Sequence, residues 1–405
     1  MKILVLNAGS SSQKSCLYDI NTLPDIAPAP LWEGSIDWTH QQGTAELKAR
    51  GKGKSIEQQI QTNDRTAATE QLLKTIWSGE TQVIDHPSAI DRVGHRVVHG
   101  GAEYQQPTRV TPEVKEAIAR LATLAPAHNP ANLEGIEAIE QLLGDVPQVV
   151  VFDTAFHSQM PMSAAVYPLP QEWIDRGIRR YGFHGISHQY CAGRAAQLLD
   201  RPLAELRLIT CHLGNGCSLA AIRDGHSIDT TMGFTPLDGL MMGTRSGSVD
   251  PGILIHLMRQ EGFSADDLDR MLNKESGLKG VSGLSGDMRS IAQAIEQGND
   301  RATLAFEVYV HRLRSNIGGM LASLGGLDAI VFTAGVGENS AAVRTEACAA
   351  FEFLGWKLDE AKNQVRSADD RNIAASDSTV PIWVIHTQED WAIAQMCWNL
   401  HINGR

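Results

Sequence analysis

The 405-residue chain has no Cys-x-x-Cys pair. Its six cysteines, Cys16, Cys191, Cys211, Cys217, Cys348 and Cys397, are scattered, which argues against a disulfide framework and for reduced, mostly buried thiols of a cytoplasmic protein. No apolar run approaches the ~20 residues of a membrane helix. The first residues offer only Ile3 to Leu6, too short for a signal-peptide core. Positive charge is scarce: 35 Lys and Arg against 47 Asp and Glu leave a net charge of −12. That excludes a general nucleic-acid binder but leaves room for a local basic pocket that takes a phosphorylated substrate. The familiar nucleotide signatures are missing as well. Gly53-Lys54-Ser55 has Lys48 where a P-loop needs its first glycine, and Gly335-Val336-Gly337 lacks the third glycine of the dinucleotide fingerprint. His184 and His188 have helical zinc spacing without the glutamate of H-E-x-x-H, so they read as neutral hydrogen-bonding histidines.

The length suits two domains, and 42% hydrophobic with 20% charged residues is ordinary for a soluble enzyme. Residues 207–252 organise the rest. Leu208–Thr210 and Cys217–Ile222 read as strands around the turn His212-Leu213-Gly214-Asn215-Gly216, a strong hairpin signal. Its glycines leave backbone N–H groups open to an anion. Downstream, Met242-Gly243-Thr244-Arg245-Ser246-Gly247 sets one arginine in a small-residue loop, where it can fork two hydrogen bonds onto a phosphate or carboxylate. A plain hairpin with a surface loop is the alternative. A second strand, small-residue turn and strand occurs at 3–19, with Ala8–Ser12 as the turn and Lys14 just beyond it. The two copies lie about half a chain apart, which suggests an internal duplication with one phosphate-facing hairpin per domain.

Leu31–Trp38 and Ala45–Ala49 look like further strands, followed by a polar stretch with little pattern, and Thr66–Trp77 has helical spacing. Asp91–Gly101 reads as a strand ending in a glycine pair, with Val93, His95 and Val97 on one face and Arg96 on the other. Arg96 is either an anion binder or half of a structural salt bridge. Helices follow at about 112–124 and 130–143, with Asn129 expected as the N-cap, Pro130 at the first helical position, and His128 where the chain turns. Val149–Phe152 is an apolar run ending in Asp153, a frequent place for a metal-side or catalytic carboxylate; the alternative is a loop or N-cap carboxylate. Helices are expected at 187–199, 250–261, 264–273 and 300–324, with another starting at Ser285–Arg289. A strand at 328–332 runs into a Gly-x-Gly turn and a helix to about 353, a nucleotide-friendly junction. The end reads as a strand at 381–385, a turn at 386–390 carrying the candidate metal-side Glu389, and a helix at 391–400.

Together these stretches resemble the acetate/propionate kinase family. The matching pieces are LNAGSSSQK at 6–14, GHRVVHGG at 94–101, PAHNP at 126–130, FDTAFH at 152–157, RRYGFHGISH at 179–188, HLGNG at 212–216, MGFTPLDGLMMGTRSGSVDPG at 232–252 and GVGEN at 335–339. They span nearly the whole chain in the family's order. His386-Thr387-Gln388-Glu389-Asp390 departs where relatives more often carry Asn-Glu-Glu, and Ile186 stands where Thr is common.

The resemblance implies an α/β fold of the sugar kinase, heat-shock chaperone and actin superfamily: two duplicated actin-like (ribonuclease H-like) domains with the active site in the interdomain cleft. The first would cover 1–150 with the C-terminal helix, about 386–405, returning to it. The second, 151–385, would bind nucleotide and form a homodimer. The implied reaction is reversible, with magnesium (or manganese) as cofactor: acetate and ATP give acetyl phosphate and ADP. By the same resemblance Arg96 holds the acetate carboxylate with help from His128. Val98 and Pro236 are candidates for the methyl pocket. Arg245 sits on the phosphoryl group in flight and His184 donates to its oxygens. Lys14 and the turn His212, Leu213, Gly214, Asn215, Gly216 hold the phosphates. Asp287, Met288 and Arg289, with Gly335, Val336, Gly337, Glu338 and Asn339, line the nucleoside pocket. Asn7 and Glu389, with Asp153 as a further candidate, are metal-side. The family credits the Asp153 position with proton transfer; a carboxylate acceptor is already an anion, so orienting Arg96 or a metal water is the physically preferred role. Rival readings are a propionate or butyrate kinase, an ATP-driven conformational module, and an actin-like filament protein.

Overall fold

The computed structural model describes residues 1–405 except 10, 11, 39–42, 63, 127, 404 and 405; Ser10 and Ser11 of the first turn and Ala127 of the Pro126–Pro130 stretch thus lie outside the described residues. The chain divides into two units, Met1–Ala155 with Gln388–Arg405, and Phe156–Thr387.

The first unit is built on strands β1 Lys2–Ala8, β2 Ser12–Asp19, β3 Trp32–Asp37, β4 Thr44–Gly51, β5 Lys54–Gln61, β6 Arg92–Val97, β7 Thr108–Arg109 and β8 Gln148–Phe152. They form one sheet in the order β5-β4-β3-β2-β1-β6-β8-β7. β1 pairs antiparallel with β2 and parallel with β6, which pairs parallel with β8. Ile3-Leu4-Val5-Leu6 is buried throughout, as a central strand covered on both faces requires. Leu4 and Leu6 pack with Leu72, Leu73 and Ile139 from the helices Arg65–Lys74 and Asn129–Leu143. The C-terminal helix Glu389–Asn403 lies on β1 and β6, and Gly94 of β6 leaves the space that Ile393 and Cys397 fill.

The polar stretch after β4 is a strand, contrary to expectation. β5 is an edge strand, so most of its side chains face solvent and only Ile56 and Ile60 reach the core; polarity here protects the edge rather than marking a loop. Lys52 and Gly53, with φ of 50° and 76°, make the two-residue turn that pairs Gly51 with Lys54.

The second unit carries β9 Leu208–Leu213, β10 Cys217–Arg223, β11 His226–Thr230, β12 Ala329–Thr333, β13 Arg371–Asn372 and β14 Ile382–Val384, in the order β11-β10-β9-β12-β14-β13. β9 pairs antiparallel with β10 and parallel with β12, and β12 parallel with β14. The run β11-β10-β9-β12-β14 repeats β3-β2-β1-β6-β8 strand for strand, so the duplication legible in the two hairpins extends to the sheets. The expected Gly-x-Gly turn after β12 is instead a short helix, Ala334–Asn339. Ala334 takes a left-handed φ of 63°, and the Glu338 carboxylate accepts from its N–H at 2.8 Å, so the chain enters the helix with no intervening turn. Among the described residues no helix is long and apolar enough to cross a membrane.

Candidate active site

In the first unit the site residues collect at the carboxyl ends of parallel strands, the usual ligand side of such sheets. Arg96 is the one residue of β6 not fully buried. Asp153, 2% exposed in its side chain, follows β8 directly. Arg96 Nε donates to Asp153 Oδ1 and Oδ2 at 3.0 and 3.1 Å, and Nη2 donates to Oδ2 at 2.6 Å. Nη1 donates to Asn7 Oδ1 at 3.3 Å. Burial works against the charged guanidinium, but the charge and hydrogen bonds of Asp153, with Glu389 and Asp390 beyond, outweigh it, so the Arg96 pKa is raised. A guanidinium has five N–H groups. Three are engaged here, leaving one on each terminal nitrogen, the pair that can fork onto a carboxylate.

Asn7 joins this arginine to an acidic pair. Its Nδ2 donates to Glu389 Oε2 at 3.2 Å and to Asp390 Oδ1 at 3.0 Å. Both acids open the C-terminal helix rather than sitting in a turn before it, where the helix N-terminus favours negative charge. Burial, with Glu389 adding to it, nevertheless raises the Asp390 pKa. Lys14 stands opposite Asn7 in the β1–β2 register.

Asn129 does not cap its helix. Its Oδ1 accepts from the His99 N–H at 3.1 Å and its Nδ2 donates to the His99 carbonyl at 3.1 Å, so the cap position falls to His128. Asn132 completes the brace, donating to the Ala8 carbonyl at 3.1 Å and accepting from Val98 N–H at 3.1 Å. These two buried amides tie the β1 end carrying Asn7 and the chain after Arg96 to the helix that His128 begins.

In the second unit His184 ends the Arg179–His184 stretch with a left-handed φ of 57°, a strain of order 1–3 kcal/mol for a non-glycine residue that the surroundings must hold. Its ring stacks on His212 with centroids 4.1 Å apart. His184 Nδ1 lies 2.8 Å from Ser218 Oγ, and Ser218 Oγ 2.8 Å from His188 Nε2. His212 Nδ1 is 2.8 Å from Ser187 Oγ. His184 is partly buried and His188 fully buried, and both rings bond to hydroxyls, in keeping with the hydrogen-bonding histidines expected from the sequence.

Arg245 reaches the same place. A Cβ on Gly216 would sit 3.2 Å from His184 Nε2 and 3.4 Å from Arg245 Nη1, so ring nitrogen and guanidinium converge over this turn. Arg245 Nη1 donates to the Pro236 carbonyl at 2.9 Å, and no carboxylate pairs with it among the described residues. Burial lowers its pKa, yet an arginine stays charged. A partly buried cation with no carboxylate of its own among the described residues is a seat for an anion. A side chain at Gly243 would collide with Asn215 Oδ1 and the Gly286 carbonyl, which brings the arginine loop, the 214–216 turn and the chain before Asp287 together. Gly337 of the Ala334–Asn339 helix packs on Leu213.

Two nucleoside-side candidates are bound up within the protein. Glu338 takes Ala334 N–H, Thr387 N–H at 3.1 Å and His386 Nδ1 at 2.5 Å. Asp287 caps the helix Met288–Glu296 and pairs with exposed Arg289. Sequence reasoning did not single out Asp390, Asn132 or Ser218 as site residues. Adjacency to Glu389 pointed to the first and strand alternation from Gly216 to the last; Asn132 left no signal, since its partners are backbone groups distant in sequence.

The acetokinase family model matches residues 2–395. The chain is 66% identical over 402 residues to acetate kinase of Cyanothece sp., covering 99% of this chain and 98% of that one. It is 63% identical over 403 residues to acetate kinase of Nostoc sp., covering 99% of each. Among solved structures it is similar to Porphyromonas gingivalis acetate kinase, with a TM-score of 0.91, 41% identity and 99% of both chains covered. It is also similar to a propionate kinase from Francisella tularensis, with a TM-score of 0.89, 38% identity and 98% of both chains covered. An arginine and a histidine converging over a glycine turn, a second arginine clamped beside an acidic pair, and matches along nearly the full length lead to one assignment: the chain belongs to the acetokinase family.

Proposed function

We propose that the chain transfers the γ-phosphoryl group of ATP to acetate, reversibly and in one in-line step, giving acetyl phosphate and ADP. The observation that carries the reading is Arg245: a partly buried guanidinium beside His184 Nε2, over the Gly216 backbone and with no carboxylate partner among the described residues. Phosphoryl transfer to a carboxylate needs positioning and charge neutralisation rather than a strong base. Arg96 would take the acetate oxygens on its two remaining N–H groups, with Asp153 fixing its angle rather than moving a proton, and with His128 assisting. Val98 and Pro236 would border the methyl group. Arg245 would hold the charge of the phosphoryl group in flight and His184 would donate to its oxygens. Lys14 and the His212–Gly216 turn would hold the phosphates. Asp287–Arg289 and Gly335–Asn339 would flank the nucleoside, Glu338 by bracing the segment from inside.

The family works with a divalent metal, and the residues suit one. Glu389 and partly buried Asp390 face the same amide of Asn7, and burial, with repulsion from Glu389 added, raises the Asp390 pKa, a donor set that a cation would relieve. We assign Mg²⁺, with Mn²⁺ able to replace it, to Asn7 and Glu389 with Asp390 adjacent. Few carboxylates and several waters are its habit, and when bound it neutralises phosphate charge. We place the enzyme in the cytoplasm, supported by six buried cysteines that form no disulfide. We also infer a homodimer through the second unit, where the helix Pro251–Gln260 buries none of its residues and leaves Ile253, Ile255 and Met258 about half exposed. A hydroxylamine trap for acyl phosphate tests the reaction. Purified protein with Mg-ATP should give hydroxamate from acetate; none from acetate, propionate or butyrate would overturn it, and a preference for propionate would move the substrate and keep the class.

A further inference from the structure

Ser218 is fully buried on β10, and among the described residues its hydroxyl has two hydrogen-bond neighbours, both imidazoles: His184 Nδ1 at 2.8 Å and His188 Nε2 at 2.8 Å. His188 in turn places Nδ1 2.7 Å from Thr210 Oγ1. The result is a chain, Thr210–His188–Ser218–His184, that ends on the imidazole facing Arg245. His188 and Thr210 are also fully buried, and burial drives the His188 pKa well below its ordinary value, so His188 is neutral and carries one ring proton.

Such a chain can run in two directions. In one, Thr210 donates to His188 Nδ1, His188 Nε2–H donates to Ser218, and Ser218 donates to His184 Nδ1, which leaves the His184 proton on Nε2. In the other, His184 Nδ1–H donates to Ser218, Ser218 donates to His188 Nε2, and His188 Nδ1–H donates to Thr210. The second direction leaves the Thr210 hydroxyl proton without an acceptor, because among the described residues the Thr210 hydroxyl bonds only to His188. If both histidines donated to Ser218, its own proton would be stranded in the same way. Buried donors are rarely left unmade, so satisfaction of Thr210 breaks the symmetry.

We propose that Thr210, His188 and Ser218 form a hydrogen-bond chain that holds His184 in the tautomer with its proton on Nε2, with Ser218 as the positioning residue. The inference deepens the reading in which His184 donates to the phosphoryl oxygens, since only that tautomer offers an N–H on the side where Arg245 Nη1 converges. The partner of the other ring nitrogen sets the tautomer of an imidazole, and here that partner is itself oriented from two residues away.

Nitrogen-15 NMR of protein labelled at its 14 histidines tests this, with His184 assigned by the signals lost in His184→Gln. Wild type should show Nδ1 as the unprotonated and Nε2 as the protonated nitrogen. Ser218→Ala and Thr210→Val should both convert this to a mixture, and Ser218→Thr, which keeps the hydroxyl, should restore it. In the kinase assay Ser218→Ala should lower kcat about tenfold, with KM for ATP and acetate within about twofold, as expected for an interaction made mainly in the transition state, and Ser218→Thr should recover most of it. A wild-type His184 protonated on Nδ1, or an unchanged tautomer in both Ser218→Ala and Thr210→Val, would overturn the chain. A changed tautomer with unchanged kcat would uphold the chain and overturn the donor role of His184 instead.

Discussion

Replacing Asp153 with asparagine separates orientation from proton transfer. The Asp153 carboxylate meets Arg96 through Nε at 3.0 and 3.1 Å and through Nη2 at 2.6 Å. Asparagine keeps the shape and one acceptor oxygen, but its NH₂ group faces a guanidinium N–H and cannot accept. One charge-assisted hydrogen bond is lost, about 1.5–3 kcal/mol, and the guanidinium swings from the angle that presents its two remaining N–H groups. If Asp153 orients Arg96, kcat/KM for acetate should fall roughly 10- to 150-fold, much of it in the acetate KM, while the ATP KM stays near wild type. Steady-state kinetics at saturating Mg-ATP read this directly. The loss should also disappear in an Arg96→Ala background, a coupling of about 1.5–3 kcal/mol within the range of contacting pairs. A kcat lowered ~10³-fold or more at unchanged acetate KM would point to proton transfer, and losses that multiply across the two sites would refute the clamp.

Three further outcomes are expected. Val98→Ala should narrow the acetate-to-propionate gap in kcat/KM, because one methylene is worth only about 1–3 kcal/mol in an apolar pocket; an unaltered ratio would make Val98 plain core. EDTA should abolish transfer and excess Mg²⁺ restore it, and Glu389→Gln should raise the metal concentration needed for half activity; an unmoved requirement would remove Glu389 from the metal side. Burial pushes His95, His99 and His157 down to about 4, and holds His188 well below its ordinary value. Unfolded histidine titrates near 6.5, so below that pH the unfolded state binds protons that the folded state refuses. Stability is therefore full above about pH 6.5 and lost toward pH 4, by about 1.4 kcal/mol per pH unit for each histidine. The urea midpoint should drop steeply between pH 7.5 and 5.5, less so in His95→Gln; a flat midpoint would show that these rings titrate normally.

Much of this molecule is legible in its sequence because the signals are local. The apolar run Ile3–Leu6 announces a doubly covered strand, Asn215-Gly216 a hairpin, and Asp153 a strand-end carboxylate. The elements that escaped are those whose cause is distant. Residues 54–61 form a strand because an edge exists for them to join, and their polar pattern carries no trace of it. Asn129 looked like a helix cap because capping is the local use of such a side chain; the buried N–H and carbonyl of His99, thirty residues away, take it instead. Gly335–Asn339 reads as a turn from its glycines, whereas in the structure it belongs to a helix whose Glu338 carboxylate folds back on the Ala334 N–H. The site itself follows the same division. Arginines and histidines near glycines stand out by type, whereas the supporting Ser218, Asn132 and Asp390 are common residues that gain meaning from their partners.

The central claim is that Arg245 stabilises the phosphoryl group in flight, and the kcat of Arg245→Ala tests it most directly. Arg245 lies partly buried beside His184 Nε2 without a carboxylate partner among the described residues, so its charge is available to the reacting group. Measured at saturating acetate and Mg-ATP, kcat should fall by roughly 10³-fold or more, the scale of arginine contributions to phosphoryl transfer. Arg245→Lys should recover little, since a point charge cannot fork two bonds. A kcat near wild type, with only the ATP KM raised, would show that Arg245 binds the ground state and would contradict the account.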